Sequence, residues 1–438
     1  MSTTKSGSGD TSWFVQDRFG LFMHWGIYSA AARDVWAKLN ERIPDDEYER
    51  YFKHFDPDLY DPSLWAQAAS DAGMKYFVVT TKHQDGFCLF DSKLTDYKST
   101  NTPHGRDLLR PMAEAFRAQN MKVGFYHSLI DWHHPDFTVD DLHPRGNEPD
   151  RDKLNAPRDM QRYRDYLFGQ VREILTDYGK VDVLWFDFSY APGRKGRSDD
   201  WVGKSKEDWH SEELLAMVRE LQPHIIVNDR LDLEEGWDFI TPERFVPRGW
   251  VTVGGRRVPW ESCTFMPGTW GYRQEDLSSW KSLEQCLFIL IDVVSKGGNL
   301  LLNVAPTGRG EYDERTLDRL AGIGQWMAKH SRSIYGCTQA PDEFTAPRDC
   351  RLTYNPQTNR MYVHVFAWPF EQLQLAGGIG RVEYAQMLHD HSEVRLLEKP
   401  LHDLEMSLDD KAEDPLTLLL PIEKPNVSIP VVELFLKS

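Results

Sequence analysis

Short apolar runs alternate with longer amphipathic stretches along residues 13–338. YFVVTTK (76–82), KVGFYHS (122–128), VDVLWFD (181–187) and NLLLNV (299–304) have the length and the β-branched and aromatic content of buried strands. GLFMHWGI (20–27), HIIVND (224–229) and VPWES (258–262) complete a set of seven. The stretches between them repeat apolar residues at helical spacing near 106–119, 159–178, 211–222, 283–295 and 313–330. A further helix is framed by its end signals: Asp61-Pro62 offers a cap and a first-turn proline before SLWAQAAS, and Gly73 follows as a stop. Strand and helix in alternation predict an α/β fold with a parallel sheet. No G-x-G-x-x-G follows the first strand, so a (β/α)8-type barrel, irregular at one strand, is expected rather than an open doubly wound sheet.

The texture changes near residue 339. In RLTYNPQTNRMYVHVFAWP two alternating runs flank a turn-rich NPQTNR, which predicts a hairpin, and SEVRLLE, LTLLLPI and PVVELFL continue in the same style. The expected organisation is a polar tail over 1–12, a catalytic barrel over 13–338 and a C-terminal antiparallel β-sandwich over 339–438.

Composition narrows the function classes. A hydrophobic content of 40% with 15 tryptophans predicts a substantial core and aromatic surfaces suited to flat or ring-shaped ligands. The net charge of −17 argues against nucleic acid or an anionic membrane as partner. No run approaches the roughly 18 apolar residues of a membrane span. Cys88, Cys263, Cys286, Cys337 and Cys350 form no close pair, and their odd number reads as free thiols in a reducing compartment. The polar start MSTTKSGSGD lacks a signal-peptide core, so a cytoplasmic location is expected, or a secreted one if a leader has been removed. The oligomeric state stays open, a homo-oligomer included.

Barrel active sites assemble at the C-terminal ends of the strands, and there this chain is polar. The first strand ends in His24, the second in His83, the third in His127, the fourth in Asp187 and a later one in Asn228-Asp229-Arg230, while Glu261 stands in PWESC. One histidine at a strand end is commonly structural; three at successive ends would converge on a small volume. Asp187 can be read as the first residue of a turn or as a catalyst. Val183, Trp185 and Asp187 share one face of the strand, so Trp185 lies just below the carboxylate. Two carboxylates on an aromatic-lined mouth are the minimum machinery of glycoside hydrolysis, one attacking or activating water and the other protonating the leaving oxygen.

The stretches RFGLFMHWGIYS, YFVVTTKHQDGFCLFDSKLTDY, GRDLL, KVGFYHSLIDWHHPDF, VDVLWFDF, PWESCTFMPGTWGYR and GGNLLLNVAPTGRG resemble glycoside hydrolase family 29, the α-L-fucosidases, over the whole barrel. The resemblance implies a retaining enzyme that removes terminal α-L-fucose from oligosaccharides or glycoconjugates through a glycosyl-enzyme intermediate. It implies Asp187 as nucleophile and Glu261 as acid/base. It further implies that His24, His83 and His127 hold sugar hydroxyls, that Trp36 and Trp185 wall the ring, and that Phe188 meets the C5 methyl. Gln84 stands in KHQDGF where the family commonly has a second histidine, and an amide there can still donate and accept hydrogen bonds. Asp34, in RDVWAKLNE, is a candidate for a carboxylate that binds hydroxyls. No cofactor or metal is implied. The competing readings are a related glycosidase for another L-fucose-like sugar, a metal-dependent barrel hydrolase and a barrel that only binds carbohydrate. The lone His24 where an H-x-H pair is usual, and the lack of H-E-x-x-H, weigh against the metal reading.

Overall fold

Strands β1 (Phe19–Met23), β2 (Tyr76–Lys82), β3 (Lys122–Ser128), β4 (Val183–Asp187) and β5 (Ile226–Val227) lie side by side in chain order. The hairpin β6 (Thr252–Val253) and β7 (Arg256–Arg257) then leads to β8 (Glu261–Phe265) and β9 (Asn299–Val304), and β9 pairs with β1 to continue the sheet in the order β5-β4-β3-β2-β1-β9-β8. Every pairing in this seven-stranded sheet is parallel. The computed structural model describes residues 7–191, 198, 200–274, 279–398 and 415–437; the first six residues of the expected polar tail lie outside these.

The gap between β5 and β8 is filled by residues 238–244. Asn228 bridges Phe239, Ile240 bridges Trp260 and Glu243 bridges Cys263, all in parallel sense. Asp238 N donates to Val227 O at 2.8 Å on one side, and Cys263 N donates to Pro242 O at 3.1 Å on the other. This segment is the irregular stave expected of the barrel. Pro242 has no N–H to give, so the ladder is broken into single bridges. Among the described residues no helix lies between Leu231 and Leu283, so this side of the barrel departs from strand-helix alternation.

Elsewhere the helices form where periodicity places them: Pro62–Asp71, Leu109–Ala118, Met160–Thr176, Ser211–Leu221, Leu283–Val294 and Glu314–His330. The Asp61 carboxylate caps the first of these by accepting from Ser63 N at 2.9 Å. Strand residues split by parity. Phe22, Tyr76, Val78, Tyr126, Val183, Trp185, Ile226, Cys263 and Leu301 pack together with Phe239 inside the barrel, while their neighbours join the larger core against the helices.

Beyond the barrel, β10 (Thr338–Gln339), β11 (Cys350–Asn355), β12 (Arg360–Val365), β13 (Gln372–Leu375), β14 (Val382–Met387), β15 (Arg395–Leu397), β16 (Leu416–Leu419) and β17 (Val431–Leu436) make two antiparallel sheets. Their orders are β10-β11-β12-β17-β14 and β13-β16-β15, and Leu352, Val363, Leu375, Leu418 and Leu434 meet in one core between them. All five cysteines are buried free thiols, and no described helix is long and apolar enough to cross a membrane.

Candidate active site

At the C-terminal end of the barrel strands lies a small cup lined by Phe22, His24, Trp36, His83, Tyr126, Trp185, Asp187, Phe188, Glu243, Cys263 and Trp270. Asp187, the last residue of β4, is mostly buried in its wall. Among the described residues, three donors converge on its carboxylate. The Tyr126 hydroxyl donates to Oδ2 at 2.8 Å, Phe188 N to Oδ1 at 3.0 Å and Arg230 Nη1 to Oδ1 at 3.1 Å. Phe188 adopts a φ of 77°, a left-handed conformation that costs a non-glycine residue roughly 1–3 kcal/mol. That turn aims its N–H back at the carboxylate and its ring at Trp36, 5.4 Å away edge to face.

Arg230 joins two carboxylates. Its Nη2 donates to Glu243 Oε2 at 3.1 Å while Nη1 holds Asp187. The guanidinium is itself fixed, with Nε on Thr241 Oγ1 at 2.8 Å, Nη2 also on Thr241 O at 3.1 Å and the plane 4.9 Å over the Trp185 ring. Burial works to lower the Arg230 pKa, but the charges of Asp187 and Glu243 outweigh it and hold the group above its ordinary value. Glu243 rides on the irregular stave, its side chain 39% exposed at the rim of the cup.

The histidines divide. His24 Nδ1 lies 2.7 Å from Asn303 Oδ1, and the Asn303 amide is oriented by its own donation to Trp270 O at 2.7 Å. The carbonyl oxygen can only accept, so His24 carries its proton on Nδ1 and presents Nε2 as an acceptor. Burial pushes its pKa down to about 3, partly offset by the Asn303 bond, so the ring is neutral. His83 is likewise kept neutral by burial and by the neighbouring His24, and its ring stacks on Tyr126 at 5.6 Å. His127 does not reach the cup. Successive strand residues face opposite ways, so with Tyr126 in the lumen His127 points into the helix layer, where Nδ1 meets Thr81 Oγ1 at 2.9 Å.

Two further expectations are corrected. Gln84 is fully buried behind the wall and donates to the Tyr126 hydroxyl oxygen at 2.8 Å, so it stands one residue removed from the cup. Glu261 is the first residue of β8, not the end of a strand over 258–262, and so lies toward the N-terminal end of the lumen. There it accepts from the Tyr76 hydroxyl at 2.6 Å and from Trp185 Nε1 at 3.1 Å. The Trp185 ring lines the cup and Glu261 does not. Burial pushes the Glu261 carboxyl up to about 7 against the lowering effect of those two bonds. Asp34 also serves structure: it accepts from Gly271 N at 2.9 Å and so latches the loop that carries Trp270. Tyr126, Glu243 and Trp270 are not among the candidates read from the chain, and Arg230 is named there only as one of the polar residues at a strand end. GTWGYR and Asn228-Asp229-Arg230 are visible in the chain, but the position of Glu243 at the cup depends on pairing that no local pattern shows.

An open barrel mouth that sets two carboxylates on one arginine within an aromatic cup defines the chain as a glycoside hydrolase. A family model described as Alpha-L-fucosidase matches residues 2–332. The chain is 28% identical over 388 residues to the tissue alpha-L-fucosidase of Mus musculus, covering 82% of this chain and 78% of that one. It is 27% identical to the plasma alpha-L-fucosidase of Homo sapiens, covering 82% and 76%. Among solved structures, alpha-L-fucosidase isoenzyme 1 from Paenibacillus thiaminolyticus superposes with a TM-score of 0.88 at 42% identity, over 98% of this chain and 99% of that one. A GH29 alpha-L-fucosidase from Bacteroides thetaiotaomicron, trapped as a covalent intermediate with 2-fluoro-fucosyl fluoride, gives 0.82 at 25% identity over 100% and 98%. The chain belongs to the alpha-L-fucosidase family.

Proposed function

We propose that this retaining α-L-fucosidase works with Asp187 as nucleophile and Glu243, in place of Glu261, as acid/base. Arg230 supports the pairing: it binds one oxygen of each carboxyl group at 3.1 Å. Carboxyl groups held on one guanidinium fit the roughly 5–5.5 Å separation of retaining pairs better than the wider spacing that admits a water in inverting enzymes. An Asp187 oxygen attacks the anomeric carbon as the bond to the leaving oxygen breaks, and the Glu243 carboxyl proton passes to that oxygen. The Glu243 carboxylate then takes a proton from water, whose oxygen attacks the same carbon, expels Asp187 and releases fucose with its configuration kept. The exposure of Glu243 supports this role, because an acid/base must reach both the departing group and incoming water.

The substrate is an α-L-fucosylated oligosaccharide or glycoconjugate. His24 Nε2 accepts a hydrogen bond from a sugar hydroxyl, and Trp36, Trp185, Phe188 and Trp270 supply ring-shaped apolar surface. Turnover of 4-nitrophenyl α-L-fucoside by the wild-type chain, with NMR of the first-formed anomer, tests the reading. Release of α-L-fucose is expected; release of the β anomer would contradict it.

A further inference from the structure

A carboxyl group buried inside a barrel is costly to ionise unless it is paired or hydrogen-bonded, and the two-carboxylate mechanism leaves Glu261 without a task. Its partners form a column along the lumen. Arg18 Nη1 donates to Asn299 Oδ1 at 3.3 Å, Asn299 Nδ2 to the Tyr76 oxygen at 3.4 Å, the Tyr76 hydroxyl to Glu261 Oε2 and Trp185 Nε1 to Glu261 Oε1. Tyr76 can lie across the lumen because Gly20 leaves the space: a Cβ there would sit 2.4 Å from the tyrosine ring. Both oxygens of Glu261 are thus engaged, and every member of the column is buried.

The column ends on the group that supports the reacting site. Trp185 is stacked against Tyr126 at 5.7 Å and lies under Arg230 at 4.9 Å. Those two residues hold opposite oxygens of Asp187. We propose that Glu261 is a positioning residue for fucosyl transfer: by fixing the indole N–H of Trp185 it sets the plane on which the sugar rests and against which Tyr126 and Arg230 are packed. The inference rests on Asp187 being the nucleophile. It separates Glu261 from acid catalysis, since the carboxyl group is bonded to the indole N–H and does not itself line the cup.

The test uses the full chain with Glu261→Gln, Glu261→Leu and Trp185→Phe, each assayed on 4-nitrophenyl α-L-fucoside and on a fucosyl disaccharide. Gln retains an acceptor for the indole, so kcat should stay within about fivefold of wild type. Leu removes the acceptor, and kcat should fall at least tenfold, by a similar factor on both substrates, with a smaller change in KM. Should Glu261→Leu fail to fold, a cycle of Glu261→Ala, which also removes the acceptor, with Trp185→Phe carries the test: the alanine effect on kcat should shrink severalfold once the indole N–H is gone. A folded Glu261→Leu with wild-type kcat on both substrates, or full additivity in the cycle, would overturn the proposal. So would a Glu261→Gln loss confined to the disaccharide, which is the mark of a lost acid. Wild-type turnover of the aryl fucoside in the same series checks the fucosidase reading separately.

Discussion

The Tyr126 hydroxyl donates to Asp187 Oδ2 at 2.8 Å and accepts from Gln84 on its other side. One phenol therefore orients the Asp187 carboxylate, the proposed nucleophile, and Gln84 in turn orients the phenol. A hydrogen bond to a charged group contributes about 1.5–3 kcal/mol. Tyr126→Phe should lower kcat on the aryl fucoside about 10- to 100-fold, with Arg230 and Phe188 still holding the other oxygen. An unchanged kcat would show that the Tyr126 bond is not needed to orient Asp187.

Glu243→Ala should lose about 10²–10⁴-fold on substrates with poor leaving groups and much less in the first step on activated aryl fucosides. Azide should restore turnover as fucosyl azide, because it needs no base to attack the glycosyl-enzyme. Rescue of Glu261→Ala, and not of Glu243→Ala, would transfer the acid/base role back to Glu261.

How far the site could be read from the chain follows from strand geometry. His24, His83 and Asp187 fall at or just beyond ends of long apolar runs whose boundaries are clear, and all three line the cup. His127 was misplaced by one position of parity: Tyr126 and His127 both suit a strand end, and only the sheet decides which faces inward. Glu261 was misplaced by register. A strand over 258–262 puts it at the mouth; the strand over 261–265 puts it at the opposite end. The place of Glu243 at the cup is not legible in the chain because its stave contains Pro242 and forms single bridges, so it carries no strand pattern long enough to detect.

Asn303 fixes which nitrogen of His24 faces the cup, and so the proposed hold on a sugar hydroxyl. Asn303→Ala frees that tautomer and loses one hydrogen bond, so KM should rise about tenfold with a smaller change in kcat. A fall confined to kcat would argue that His24 acts in the reaction rather than in binding.

Glu261 links stability to pH. Its folded-state pKa of about 7 stands above the ordinary 4.5, so the folded protein holds the proton more tightly than the unfolded chain. The stabilising contribution is fully present below pH 4.5 and is lost as pH rises through about 7. Gln cannot ionise, so Glu261→Gln should gain stability relative to wild type from pH 5 to pH 8, by up to roughly 3 kcal/mol. Urea unfolding at the two pH values measures the difference; a gap independent of pH would contradict the assigned burial.

The central claim is that Asp187 forms the bond to the sugar. Incubation with 2-fluoro-fucosyl fluoride, digestion and mass spectrometry test it directly, since the fluorine at C2 slows release of the glycosyl-enzyme. The account predicts a 2-fluorofucosyl adduct on the peptide containing Asp187 and none after Asp187→Gly. An adduct on any other carboxylate would contradict it.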